Sequence, residues 1–545
     1  MTDPVTSEVI RSALVYACEE MGIAVRNAAY SPNIKERLDH SCALFNRHGR
    51  MIAQAEHIPV HLGSLPWGLR ETLRAIAARG ESLAPGEQWI VNDPYVSGTH
   101  LNDVTVIRPI FTDAADGPRL AGFAANKAHH TDVGGKVPGS ISTDARELCE
   151  EGLILPPLRL VRGDALVAGV VALVRANSRT PEARSGDLTA QVAGNAIGER
   201  RVLELIERYG EATFAAALDA SADASERLLR AALRRLGEGE VRVEDVLEPP
   251  DGGELLRLVA RVRLAGGALL VDYAGTHAQV PYPLNAVYGV TLSGVHYAVR
   301  CLTGADIPMN DGCFRPVEVR APEGCLLNPR RPAPVGGGNV ETSQRNADLL
   351  LRAFALLAPG RVGAQSSGTM ANVMAGGQRD DGTAWALYET IGGGMGARPG
   401  LDGIDGIHTH MTNTLNTPVE ALERSAPILV TRYEFAEGTG GAGAARGGCG
   451  LVRGFRLTEG RAVFSLLAER QRVAPQGAAG GAPGTPGAHA MRREGGADEP
   501  LPAKCSVELV AGDEIVIRTP GGGGYGDPEQ RGAAAREADR ASGLA

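Results

Sequence analysis

The chain has 545 residues, a formal net charge of −9, 43% hydrophobic and 22% charged residues, and only 4% aromatics. This length exceeds what one hydrophobic core fills, so several lobes packed into one body are expected. The acidic balance and scarce aromatics argue against nucleic acid as a partner, and no window approaches the roughly 18 uninterrupted apolar residues of a membrane helix.

The opening MTDPVTSEVIRSALVYACEEMG lacks the basic stretch, apolar run and small-residue cleavage site of a signal peptide, so a cytoplasmic location is expected. Apolar residues recur at helical spacing from Thr6 to about Ala29, with Asp, Thr and Ser available for capping. SCALFN and MIAQA, joined by RHGR, predict a hairpin, and a helix follows near 65–79. EQWIVNDPY is a strand entering a turn; VTVIRPIF and RLAGFAANKAHH are two strands separated by the loop TDAADGP. Residues 188–237 are strongly helical. Strands resume with LLRLVARVRL and ALLVDYAGT, followed by a helix near 290–303 and a helical NADLLLRAFALLAP.

The expected fold is α+β: a multi-lobed mixed α/β body with predominantly antiparallel sheets. It divides into an N-terminal α/β lobe over 1–190, a helical segment over 191–239, a central α/β lobe over 240–429 and a glycine-rich β-type region over 430–545. The eight cysteines are scattered without a C-x-x-C pair, which argues against a zinc knuckle or a disulfide framework and suits small buried apolar residues.

NKAHHTDVGG places His129 and His130 side by side. Neighbours on a strand face opposite ways, so one can be a ligand while the other packs. GTHLNDVTVI holds His100 and Asp103 in a turn that also enters a strand. If VTVIRPIF pairs with GFAANKAHH across their loop, His100 and Asp103 come to lie beside the His129 end. Asp39, just before a strand, is a third contributor. Two imidazoles and two carboxylates suit Zn, Mn or Fe(II) with positions left open for water or substrate. His57 and His61, and His408 and His410 in GIHTHMTNT, either line a site or brace loops, with His408 and His410 the stronger candidates for substrate contact. No G-x-x-x-x-G-K-[ST] loop occurs, so ATP binding by this chain is not expected.

The segments NIKERLDHSCALF, HIPVHLGS, NDPYVSGTHLNDVTVI, NKAHHTDVGGKVPGS, EEGLILPP, GGGNVETSQR, YETIGGGMGA, HTHMTNTLNTPVEALE and TPGGGGYGDP, in this order, resemble the hydantoinase B/oxoprolinase family nearly end to end. The resemblance implies metal ligands at Asp39, His100, Asp103 and His129. It also implies an A-type partner that binds ATP and phosphorylates the substrate, a lactam, hydantoin or ketone, in a hetero-oligomer such as (AB)2. His130 and Asp132 become neighbours of the site, and with Glu341 they are candidate catalytic residues; Asn339 and Arg345 of GGGNVETSQR are candidate substrate contacts. Three readings follow: a cyclic-amide hydrolase subunit, a ketone carboxylase subunit, and a non-catalytic assembly subunit. The same ligand set serves the first two, since both need a Lewis acid beside a phosphorylated oxygen.

Overall fold

A computed structural model describes residues 3–304 and 306–544. The first helix, Pro4–Ala28, starts ahead of the expected Thr6 because Asp3 caps it, accepting a bond from the Thr6 backbone N–H at 3.0 Å, and Pro4 takes the first turn. Its buried stripe is Ile10, Leu14, Ala17, Cys18, Met21 and Val25.

The N-terminal sheet contains β1 (His40–Asn46), β2 (Met51–Gln54), β3 (Gln88–Val91), β4 (Asp103–Thr112), β5 (Arg119–His129), β6 (Leu158–Arg162) and β7 (Ala165–Leu166) in the order β2-β1-β5-β4-β3-β6-β7. Every neighbouring pair is antiparallel. The helices Pro4–Ala28 and Pro181–Tyr209 cover one face, where Met21, Val25 and Val202 pack near Leu44, Ala124 and Ala128. The helix His61–Ala78 covers the other through Leu65 and Leu69 against Phe45, Phe123 and Ala125. Alternate residues of β5 therefore serve two apolar layers, the period of two that a sheet covered on both faces imposes. The helical region expected over 188–237 is two helices, Pro181–Tyr209 and Glu211–Arg235, separated at Gly210 with φ +79°.

A second sheet orders the strands Val317–Arg320, Ala268–Asp272, Leu256–Ala265 and Gly239–Leu247, and its first pair is parallel. A third runs Ala384–Thr390, Asn372–Gln378, Arg461–Leu467, Lys504–Val510, and a fourth joins five strands between Ile428 and Arg518. These last two share one core, with Val373, Phe464 and Leu466 near Phe455, Ile515 and Ile517. The fold is thus α+β with predominantly antiparallel sheets. Among the described residues the cysteines are all free and most are buried, and no helix is long and apolar enough to cross a membrane.

Candidate metal centre

β4 and β5 form the hairpin that the two alternating runs predict, and its register sets Asp103 directly opposite His129. His100 lies in the turn that feeds β4, where the Asp103 N–H donates to the His100 carbonyl at 3.2 Å. Asp39 precedes β1, the other neighbour of β5, and its carbonyl accepts from the His129 N–H at 3.0 Å. Three chain segments thus deliver their side chains to one end of the sheet.

His100 Nε2, His129 Nδ1 and Asp103 Oδ1 converge, all buried: the imidazole nitrogens are 3.1 Å apart and lie 3.2 and 3.3 Å from the carboxylate oxygen. Ligands about 2.0–2.1 Å from an ion stand roughly 3.0–3.4 Å apart in octahedral or tetrahedral coordination, so the spacing fits a bound metal. Asp39 Oδ2 is 4.0 Å from His129 Nδ1.

A surrounding layer fixes these groups. His100 Nδ1 lies 3.3 Å from the Gly336 carbonyl. Because a carbonyl only accepts, Nδ1 carries a proton, and Nε2 is the nitrogen that faces inward. Gly336 is itself held by buried Glu151, whose carboxylate accepts from the Gly336 N–H at 2.8 Å and the Val335 N–H at 3.0 Å. The second oxygen of Asp103 meets His61 Nε2 at 3.3 Å and accepts from Asn339 Nδ2 at 3.5 Å, while His61 Nδ1 rests on Ser41 Oγ at 2.8 Å. His129 lies flat against Tyr388, ring centroids 4.4 Å apart and planes at 17°.

Burial alone would depress the His100 imidazole, but the Asp103 carboxylate outweighs it and holds His100 above the ordinary histidine range. Burial likewise opposes ionisation of Asp103, yet the charge of His100 and hydrogen bonds from His100, His129 and His61 keep it well below the carboxylate range. His129 moves downward, chiefly through burial. An ionised carboxylate faced by two inward ring nitrogens is an arrangement in which a divalent cation can take the place of the imidazole protons.

The sequence model of the hydantoinase B/oxoprolinase family matches residues 3–528. The chain belongs to the hydantoinase B/oxoprolinase family. It is 45% identical to an uncharacterized protein of Methanocaldococcus jannaschii, across 97% of this chain and 92% of that one. It is 37% identical to 5-oxoprolinase 1 of Arabidopsis thaliana over 96% of this chain but only 42% of that protein, so it spans about two fifths of that relative. Among solved structures, the ATP-dependent caprolactamase of Pseudomonas jessenii matches with a TM-score of 0.92 and 30% identity over 100% of this chain and 94% of that one. An acetone carboxylase structure shares the fold, with a TM-score of 0.90 at 18% identity over 99% and 78%.

In this hydantoinase B/oxoprolinase chain the remaining predicted residues are dispersed. His130 turns away from the trio: its Nε2 is 2.9 Å from Gln191 Oε1, and burial holds its imidazole far below the ordinary range. Asp132 braces the following turn, accepting from the N–H groups of Gly134, Gly139 and Arg179 and from the Arg179 guanidinium at 2.9–3.2 Å. That turn needs its glycine pair, since Gly134 and Gly135 have φ of +89° and +80°.

Asn339 reaches the trio because Gly338 lets the loop close in: a Cβ there would lie 1.8 Å from the Asn285 carbonyl oxygen. Glu341 is buried and accepts from Asn372 Nδ2 at 2.7 Å and the Met370 N–H at 3.2 Å; burial first, then Glu469, pushes its carboxyl up to about 8. Arg345 lies inside a buried ion-pair network, 3.1 Å from Asp348. His410 joins the same network, with Nε2 3.2 Å from Asp348 Oδ1 and Nδ1 3.2 Å from the Tyr297 hydroxyl, whereas His408 is pushed down to about 3 by burial. The large groove of the C-terminal sheet, about 1140 Å³ and bordered by Arg432, Phe435 and Arg518, contains none of these residues.

The sequence reading singled out neither Tyr388, Glu151 nor Arg37, and left His61 undecided between lining a site and bracing loops. Arg37 donates to the Tyr388 carbonyl, Thr390 Oγ1, Thr414 Oγ1 and the Leu415 carbonyl, joining the Asp39 segment to the third sheet and to the loop beyond it. All four lie within the family segments quoted above, which was the one available signal.

Proposed function

We propose that this chain is the metal-dependent catalytic subunit of an ATP-dependent cyclic-amide hydrolase, acting on a lactam, hydantoin or oxoproline ring phosphorylated by an A-type partner subunit. The carrying observation is the buried His100–Asp103–His129 trio with one ligand atom of each directed at one point. The likeness to an ATP-dependent caprolactamase along the whole chain supports the reaction class. A protein of Pseudomonas sp. strain NS671 named as the B component of a D-/L-hydantoinase is 31% identical over 97% of this chain and 91% of that one. That name supports a partner subunit, and the reading adds ATP on that partner in a hetero-oligomer such as (AB)2.

In this reading Asp39, His100, Asp103 and His129 hold Zn, Mn or Fe(II). The ion supplies Lewis acidity, polarising a carbonyl or activating water. Gly336 and Glu151 keep the His100 lone pair inward, and His61 orients Asp103. Asn339, with Nδ2 on Asp103 and a buried Oδ1 that has no partner among the described residues, is the group available to accept a ring N–H. His130 acts as a brace through Gln191, Asp132 through the Gly134 turn, and Arg345 and His410 both through Asp348.

The carboxylase reading ranks second, because the acetone carboxylase likeness at 18% identity carries the fold alone. The assembly reading gives no reason for two imidazoles and a carboxylate to converge within 3.1–3.3 Å at one buried point. Elemental analysis of the purified chain beside His100→Ala tests the centre; wild type without stoichiometric metal would end the reading. Incubation with the A-type partner, ATP and a panel of lactams, hydantoins, and ketones with bicarbonate tests the reaction. Ring opening is expected, and carboxylated ketone without amide hydrolysis would replace it with the second reading.

A further inference from the structure

His129 brings a single side chain to the trio from the end of a strand, and its outer nitrogen, Nε2, is buried with no hydrogen-bond partner among the described residues. No polar contact at that nitrogen therefore sets the imidazole plane, unlike His100, whose Nδ1 is tied to Gly336. What the ring does meet is Tyr388, parallel within 17° at 4.4 Å.

Tyr388 is in turn held from two sides. Its hydroxyl donates to Asn372 Oδ1 at 2.9 Å, and Asn372 lies diagonally across the ladder on the neighbouring strand, opposite Thr390. The amide of Asn372 has one possible orientation: Nδ2 faces two acceptors, Glu341 Oε1 at 2.7 Å and the Leu467 carbonyl at 3.0 Å, which leaves Oδ1 for the tyrosine. At the other side of Tyr388, the Arg37 guanidinium sits 4.9 Å from the ring centroid and donates to the Tyr388 carbonyl at 3.1 Å. A tyrosine pinned at its hydroxyl and its backbone presents a fixed flat surface, and an imidazole packed on such a surface loses its freedom to rotate about χ2.

We infer that Tyr388 is the positioning residue that sets the plane of the His129 imidazole, and that Asn372 and Glu341 hold Tyr388 in place. Glu341 then serves the centre through two intervening side chains rather than by touching substrate. This rests on the metal-centre reading above and adds to it the device that orients one ligand. The ligand comes from the N-terminal sheet and the surface that orients it from the third, so the packing of two sheets decides how well the centre binds.

The test uses the full chain loaded with Co(II), whose visible ligand-field bands report ligand geometry directly. Tyr388→Leu removes the flat surface and should raise the cobalt dissociation constant about 10- to 100-fold, the range for residues that orient a ligand, and should shift and broaden the bands. Tyr388→Phe keeps the stack but loses the hydroxyl anchor on Asn372, so its loss should match that of Glu341→Leu and stay clearly smaller than that of Tyr388→Leu. Glu341→Leu should weaken binding up to about tenfold, and Glu341→Gln, which keeps an acceptor for Asn372, should restore it.

Wild-type affinity and bands in Tyr388→Leu would overturn the inference, as would equal losses in the Leu and Phe variants. If Tyr388→Leu does not fold, the Glu341 pair decides: an unchanged spectrum in Glu341→Leu overturns the relay. A wild-type chain that takes up no cobalt defeats the metal-centre reading itself and this inference with it, whereas wild-type binding with indifferent variants defeats the inference alone.

Discussion

Two buried clusters of charge lie on neighbouring elements, and they differ in sign balance. In one, Arg345, Arg470 and Lys504 face Asp348 and Glu469 at 3.1, 3.0, 3.5 and 2.6 Å, so every carboxylate meets a cationic side chain. In the other, His100 and His129 each turn one ring nitrogen toward Asp103, at 3.2 and 3.3 Å, and no arginine or lysine ion pair with Asp103 is found among the described residues. Burial is equal in both. A network that closes on itself needs no ligand, because leaving either partner unpaired is what costs. A carboxylate whose ion pairs are all with imidazoles can exchange their protons for a metal ion. Arg345, which its loop marks as a candidate substrate contact, belongs by this criterion to the closed network.

The comparison breaks first at its strongest point. His100→Ala or His129→Ala should abolish stoichiometric metal, read by elemental analysis, while the melting curve of the metal-free protein shifts little. Asp348→Ala should do the reverse. It leaves Arg345 and Arg470 with only their longer ion pairs, to Glu469 at 3.5 Å and Asp245 at 3.4 Å, and should cost up to about 3 kcal/mol, read as a shift in the denaturation midpoint, with the folded fraction still binding metal. Metal loss in Asp348→Ala at full stability would mean that the two clusters are one functional unit.

A smaller effect separates ligands from the residues that orient them. His61→Ala should lower metal affinity about 10- to 100-fold without abolishing it, since Asp103 keeps its contact to Asn339. His130→Phe should leave stoichiometry and affinity near wild type, because its ring lies against Gln191. A chelator competition titration on both variants measures this directly, and a His130 variant devoid of metal would return it to the ligand set.

How much of this the sequence carried follows from the range over which each signal acts. The β4–β5 hairpin was legible because alternation and a polar loop are local features, and with that pairing His100, Asp103 and His129 come together at one end. The helices were legible by period, although Pro4 and Asp3 moved the first start forward. What stayed hidden depends on contacts between distant segments. Nothing near Tyr388 signals that its strand, in another sheet, will lie against His129, and nothing near Glu151 signals the Gly336 loop. His408 and His410 show the converse. A His-x-His pattern suits a site, but His410 turns to Asp348 and Tyr297, and a residue with φ of +58° follows its loop rather than a strand's alternation.

The smallest predicted effect, a slope in acid, sharpens the contrast between the clusters. Burial opposes ionisation of Asp348, but a hydrogen bond from His410 and the charges of Arg470, His410 and Arg345 outweigh it and hold its carboxyl down at about 2. Its folded value lies below the ordinary 3.8, so the ionised form favours the folded chain. That stability is fully present above about pH 4 and drains away as the pH falls toward about 2. Urea midpoints should therefore fall more steeply with acid in wild type than in Asp348→Asn, with or without chelator, because the closed network carries its own counter-charge. The trio should behave otherwise: acid competes with metal for its lone pairs, so its share of acid sensitivity should appear in the loaded protein and vanish once a chelator has stripped the ion. An acid slope that depends on the chelator in Asp348→Asn as it does in wild type would assign that share to the trio. A slope unchanged by chelator in either protein would leave the ion without a role in holding the fold.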